Sequence, residues 1–165
     1  MDVPAAIDSH HFRRVMGQFV TGVTVVTTAV GPRLHGITVN SFSSVSLAPM
    51  LVAVCLDRGS RTLPLIAESG FFAVNILSHA QQEWANRFAG RGEPVPDDFD
   101  GLDHHTVVSG SPVLLHTLGW LDCRVSSRFD AGDHTIVLGE TLACEMGDSG
   151  DPLLFYRGHY GRVHH

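Results

Sequence analysis

The run Gly36-Ile37-Thr38-Val39-Asn40-Ser41-Phe42-Ser43-Ser44-Val45-Ser46 places hydroxyls, a carboxamide and a glycine where core strands usually carry bulky apolar groups. Short side chains let a backbone come close to a planar ligand, and they offer many donors to a phosphate and to ring heteroatoms. A second polar turn, Asp57 to Thr62, contributes Ser60, Arg61 and Thr62. The Arg61 guanidinium can fork onto a phosphate while serines and backbone N–H groups complete the shell. Much further along, Gly132-Asp133-His134 precedes the apolar run Ile136-Val137-Leu138. Together these pieces describe a site for a flat, phosphorylated ligand with a histidine nearby. The plain alternatives are a Ser/Thr-rich solvent face, a solvated turn cation and an idle loop histidine. Phe42 and Val45 interrupt any clean polar face and weigh against the first of these.

Other chemistries find little support. The chain contains no G-x-G-x-x-G, no P-loop and no G-x-S-x-G elbow. The paired carboxylates Asp97-Asp98 fall in a hydrophilic stretch and read as solvated loop acids. His10-His11 and His104-His105 are adjacent pairs, and neighbours on a helix or strand point apart, so neither supplies two ligands to one ion. No zinc pattern exists, and no metal is expected. Cys55, Cys123 and Cys144 lie in apolar runs without C-x-x-C spacing and are expected to be buried, reduced thiols.

The 165 residues suit a single domain, spanning 1–165, with a sizeable core. Net charge is −6 with no basic stripe, which argues against nucleic acid or anionic lipid as the main partner. Only 17% of residues are charged, a hint that a second subunit covers some apolar surface. No signal-peptide pattern and no membrane-length apolar run is present, so the expectation is a cytoplasmic protein. His164 and His165 have the look of a tag remnant and carry no weight.

The elements that must hold the site follow from periodicity. Met1 to Asp8 reads as a loose arm. Ser9 caps a helix with the stripe Phe12, Val15, Met16, Phe19 and Val20, ended by Gly22. Val23 to Thr28 is a β-branched strand, Gly31-Pro32 a turn, and His35 to Ser46 one long returning strand. Leu51 to Leu56 is a continuous apolar strand buried on both faces. Asp57 to Ser60 caps a short helix with Leu63, Leu65 and Ile66, closed by Gly70. Phe71 to Leu77 is a strand, and Ser78 with Gln81 has capping-box spacing before a helix carrying Trp84, Ala85 and Phe88. Ala89 to Asp103 is a loop and a candidate lid. Val113 to His116, Gly119 to Phe129, His134 to Met146 and Leu153 to Tyr156 complete the strands, with Asp130 to Asp133 as a hairpin tip. Strand–helix alternation is too sparse for a doubly wound sheet, and a closed antiparallel barrel with two or three accessory helices is expected.

The chain resembles the short-chain flavin reductases of two-component monooxygenases, members of the flavin reductase-like, FMN-binding split-barrel group. The matching pieces are Thr21 to Thr28, Gly36 to Leu47, Phe72 to Leu77, Gly110-Ser111-Pro112, Gly132-Asp133-His134 with Gly139-Glu140, and Pro152 to Gly158. They occur in family order from about Phe12 to Val163. One departure is Ala48-Pro49-Met50, where the family more often has Asp-Pro-Pro.

The resemblance implies a mainly β fold, a six-stranded antiparallel Greek-key split barrel, working as a homodimer. It implies FMN or FAD as the flavin and NADH or NADPH as the hydride donor, with reduced flavin passed to a separate monooxygenase. It implies that Thr38, Val39, Asn40 and Ser41 border the isoalloxazine. Ser43, Ser44 and Val45 lie next to the ring or the ribityl chain. Cys55, Leu56 and Asp57 run beside that chain, with Ser60, Arg61 and Thr62 near the phosphate. His134 and Tyr160 match positions that meet the nicotinamide, where His134 has a positioning role. Two other readings stay open: a tightly held flavin acting on an organic substrate, and a non-catalytic flavin- or haem-binding protein.

Overall fold

A computed structural model describes residues 6–95 and 97–165 of the chain. The expected arm over Met1 to Asp8 therefore lies, for its first five residues, outside the described part. In chain order the elements are α1 (Ser9–Met16), β1 (Thr21–Gly22), β2 (Thr24–Val30), β3 (Arg33–Val39), β4 (Phe42–Leu47), β5 (Met50–Asp57), α2 (Thr62–Ser69), β6 (Phe71–Ile76) and α3 (Gln82–Phe88). They continue with β7 (His104–His105), β8 (Val113–Leu114), β9 (Gly119–Ala131), β10 (His134–Met146), β11 (Leu154–Tyr156) and β12 (His159–Gly161).

The central sheet has seven strands in the order β3-β2-β6-β9-β10-β5-β4, every pair antiparallel. This corrects the expected six strands and closed ladder: among the described residues the edges β3 and β4 share no pairing. They are nevertheless joined by two residues, Asn40 and Ser41. A link that short spans only about 11 Å between Val39 and Phe42, so the sheet must curl until its edges nearly meet. The single long strand expected over His35 to Ser46 is thus two strands at opposite edges. The break falls where Ser41 leaves β3's ladder, its carbonyl accepting from Cys55 N at 3.2 Å and its hydroxyl donating to Cys55 O at 2.7 Å.

Two apolar clusters flank the sheet. Val26, Val54, Leu56, Ile66, Phe72 and Val137 form one, with α2 packed on β2. Val23, Val25, Leu77, Ala85, Phe88 and Leu153 form the other, under α3. Strand β2 feeds both, which is why its β-branched residues are buried on alternate faces. Two glycines serve these clusters by close approach: a Cβ on Gly139 would stand 2.4 Å from the Phe72 ring, and one on Gly36 would stand 2.7 Å from Phe88. Gly36 is therefore a packing residue and not a place where backbone meets ligand.

Local signals resolve in detail. Asp8, not Ser9, caps α1, its carboxylate accepting from His11 N at 2.6 Å, and Gly17 rather than Gly22 ends it. Gly70 closes α2 in the left-handed region, and the Ser78–Gln81 capping box is present. Strand β5 is buried on one face only: Val52, Val54 and Leu56 point inward while Ala53 and Cys55 are half-exposed. The loop after α3 is not a lid over its described residues. Phe99 and Leu102 join the core, and the Arg87 guanidinium donates to the carbonyls of Asp98 and Asp100. Of the cysteines only Cys123 is fully buried; Cys55 is half-buried and Cys144 is exposed.

Candidate functional site

Two cavities meet at Asn40. The larger is a groove of about 630 Å³ between the α1–β1 segment and the edge formed by β4 and β5. One wall is apolar, built from Met16, Phe19, Val20 and Ile76. The other is short-chained, built from Asn40, Ser41, Ser43, Ala53 and Cys55. A volume of this size with few polar groups on an apolar lining suits a drug-sized or cofactor-sized ligand. The smaller cavity, about 170 Å³, is lined by Val23, Thr38, Val39, Asn40, Ala89, Arg91, Phe155 and Tyr160. Val23 and Asn40 belong to both linings, so the two cavities adjoin at the link between β3 and β4.

The small residues on β5 follow from strand alternation. Successive side chains point to opposite faces. With Val52, Val54 and Leu56 inside, Ala53, Cys55 and Asp57 share the groove face. Asp57 then makes a tight turn, its Oδ1 accepting from Gly59 N at 2.6 Å and its carbonyl from Ser60 N at 3.0 Å. That turn brings Ser60, Arg61 and Thr62 to the start of α2. Across the sheet, His134 is the ladder partner of Asp57. Partners in an antiparallel pair point the same way, so His134 stands on the groove face beyond Cys55. Its Nδ1 lies 2.7 Å from Asp133 Oδ1, which holds the Asp133 carboxyl below its ordinary value.

Many hydroxyls of the polar run are already engaged. Thr38 Oγ1 donates to Ala85 O at 2.7 Å, Ser41 is tied to Cys55, and Ser43 donates to Ser44 O at 3.0 Å. Ser44 and Val45 are exposed outside the groove lining. The Val39 and Leu56 side chains face the core. Thr62 is fully buried, its hydroxyl 2.8 Å from His35 Nδ1. These residues can therefore offer a ligand backbone or little else, whereas the Asn40 carboxamide has no hydrogen-bond partner among the described residues. Tyr160 and His134 share no cavity. The polar run did not point to Met16, Phe19, Val20, Ala89, Arg91 or Phe155 as lining residues. The apolar stripe on α1 was a signal for the first three.

A family model described as flavin reductase like domain matches residues 16–164. Over 155 residues the chain is 41% identical to the reductase subunit HsaB of a flavin-dependent monooxygenase from Rhodococcus jostii, covering 94% of this chain and 78% of the relative. Over 160 residues it is 42% identical to the FMN reductase (NADH) SmoA of Agrobacterium fabrum, covering 97% and 89%. Among solved structures, the NADH:FAD oxidoreductase SgcE6 of Streptomyces globisporus matches with a TM-score of 0.88 at 35% identity, covering 98% of this chain and 99% of that one.

Electrostatics separate inert from responsive groups. Burial pushes the Cys123 thiol up to about 12, so it stays protonated and unreactive. Burial also raises Tyr160, against the nearby Arg91 charge. His35 is lowered, first by burial and then by the Arg61 guanidinium, with Asp98 opposing. The folded chain thus holds His35 neutral where the unfolded chain protonates it. The unfolded state binds the extra proton, so stability rises with pH across the window from the lowered value up to the ordinary 6.5. Below that window the loss is complete, and above 6.5 both states are neutral. Thermal midpoints of wild type and His35→Gln, measured between pH 5 and pH 8 as a rough span around the histidine range, should diverge accordingly. Wild type should lose more stability on acidification than the variant. Parallel curves would exclude His35 as the titrating group.

Proposed function

The chain belongs to the flavin reductase-like family, and we propose that it oxidises NADH, or NADPH, by passing hydride to FMN or FAD and releases reduced flavin to a separate monooxygenase. The observation that carries this reading is the groove at Asn40, where a wall of short side chains faces an apolar wall across a space large enough for a tricyclic ring. A bound flavin supplies the two-electron acceptor. The chain's own residues bind and orient. Ala53 and Cys55 let a flat ring lie close to the β5 backbone. Asn40 offers a carboxamide at its rim, and Ser43 its backbone. Met16, Phe19, Val20 and Ile76 keep water from the opposite face. Ser60 and Arg61, at the end of the same β5 face, take the phosphate, with Thr62 positioning α2 from beneath through His35. His134, on the β5–β10 face beyond Cys55, and Tyr160, in the smaller cavity, are assigned to the pyridine nucleotide. Hydride transfer needs the two rings in near contact, which is a demand on position and not on acid–base chemistry.

The exposed apolar side chains extend the proposal to a homodimer. No residue of α1 is buried, and Phe19 is 72% exposed, Leu47 91% and Met50 55%. A monomer seldom leaves so many large apolar side chains to water. In the split-barrel reading, the curled sheet is one half of that assembly. No described helix is long and apolar enough to cross a membrane, and a reductase that draws on NADH and passes diffusible reduced flavin to an oxygenase fits the cytoplasm.

Purified protein should oxidise NADH, followed by absorbance, only when free FMN or FAD is added. A yellow preparation that turns over without added flavin would replace the diffusible-flavin mechanism with a tightly held one. His134→Ala should raise KM for the nicotinamide while leaving flavin affinity within about twofold, since only uniform binding of one substrate is lost. A fall in flavin affinity alone would remove His134 from the nicotinamide. Sedimentation should give about twice the chain mass of 17.9 kDa; a single-chain mass at micromolar concentration would end the dimer proposal.

A further inference from the structure

A cavity of about 570 Å³ lies on the far side of the turn that ends α1, lined by His10, Arg13, Arg14, Gly17, Gln18, Arg157 and Gly158. Three of the chain's arginines converge there although the net charge is −6. None of the three forms an ion pair with a carboxylate among the described residues. The Asp133 carboxylate feels the Arg13 charge without forming an ion pair with it.

Arg157 is held in place from several sides. Its Nε and Nη2 donate to Gln18 Oε1 at 3.1 and 2.8 Å. The orientation of that amide is itself set, because Gln18 Nε2 donates to Arg14 O at 3.3 Å. The Arg157 guanidinium carbon lies 4.9 Å from the centre of the Tyr156 ring, and its backbone N–H donates to Gly17 O at 3.0 Å. Arg157 also occupies the first central position of the β11–β12 turn at φ 51, followed by Gly158 at φ 82. A turn with two positive φ values usually carries Asn, Asp or Gly at its first central position. The turn demands the conformation, but it does not demand an arginine. Gln18 uses two of the five guanidinium donors, and the Nη1 pair has no partner among the described residues. A planar cation fixed this way, beside two further guanidinium groups, matches bidentate recognition of phosphate.

We infer that Arg13, Arg14 and Arg157 form a binding site for the diphosphate of an adenosine diphosphate half, outside the groove that takes the flavin ring. The inference rests on the reductase reading, and because the flavin phosphate is assigned to Ser60 and Arg61, the pyridine nucleotide brings that half. The position suits such an extension. Met16, Phe19 and Val20 line the groove, and Gly17 and Gln18, between them in sequence, line the cationic cavity. A dinucleotide can therefore cross this one turn with its ring on one side and its phosphates on the other.

The test uses the full-length protein, with ADP as the direct probe in calorimetry and with steady-state assays crossing NADH against FMN and FAD. Arg13→Gln/Arg14→Gln changes only exposed helix residues, and Arg157→Lys keeps the charge while removing the fork. Each should weaken ADP binding about tenfold or more, with unchanged melting temperature. If NADH brings the phosphates, KM for NADH rises about tenfold with either flavin and kcat holds. A KM that rises for FAD and not for FMN would overturn the assignment to the pyridine nucleotide. Unchanged ADP affinity and unchanged KM values in both folded variants, with wild-type NADH oxidation intact, would overturn this site and leave the reductase reading standing. Absence of flavin-dependent NADH oxidation in wild type would instead remove the reading itself.

Discussion

The two-residue link from β3 to β4 is the constraint on which the rest depends. It joins the first and last strands of a seven-stranded sheet, so the sheet has to curl through its whole width to satisfy a span of about 11 Å. Strand twist supplies the direction of that curl. The Ser41–Cys55 hydrogen bonds then pin the link to β5. The outcome is a seam whose outer side is the groove. Its lining comes from residues that are otherwise far apart in sequence: the end of α1, the start of β2, the link itself and the middle of β5.

The seam also explains why a wall rich in serine and threonine is not a wall of free donors. Buried or half-buried hydroxyls are stabilised by partners, and an unpaired one costs roughly 1–3 kcal/mol. Thr38, Ser41 and Thr62 each have such a partner within the protein. For Ser41, which lines the groove, small size matters more than polarity, because it keeps that wall thin. In the proposed site, recognition passes to a few groups: the Asn40 carboxamide, Arg61, and the backbone. A site proposed on these terms would hold a flat ring by contact area and release it without breaking many strong bonds, which fits the proposed ligand that leaves after each turnover.

Much of the fold was legible from residue patterns. Gly70 as a left-handed stop, the Ser78–Gln81 box and the Gly132 hairpin tip are local devices, and each acts through its own neighbours. Long-range features were not legible in the same way. His35 to Ser46 is uniformly suited to β structure, and nothing local marks Asn40–Ser41 as a crossing between opposite edges. The half-exposed face of β5 was hidden for a similar reason. Alanine and cysteine in an apolar run look like core residues, and only the neighbouring groove makes them a surface. The loop after α3 looked hydrophilic because of its acids, while Phe99 and Leu102 anchor it.

Sequence alone determined the kind of protein this is. The amphipathic first helix and the β-branched strands define a mainly β domain, and the order of the small-residue motifs carries its resemblance to the flavin reductase-like family, since each motif encodes a local backbone requirement that survives outside its context. Tertiary structure alone decided which of those residues share a cavity. It placed His134 beside Asp57, put Thr62 and Leu56 in the interior, and gathered Arg13, Arg14 and Arg157 from opposite ends of the chain. The reason is physical: propensity and periodicity are read over a turn or a strand, whereas proximity across a curled sheet depends on register and closure, which no single segment carries.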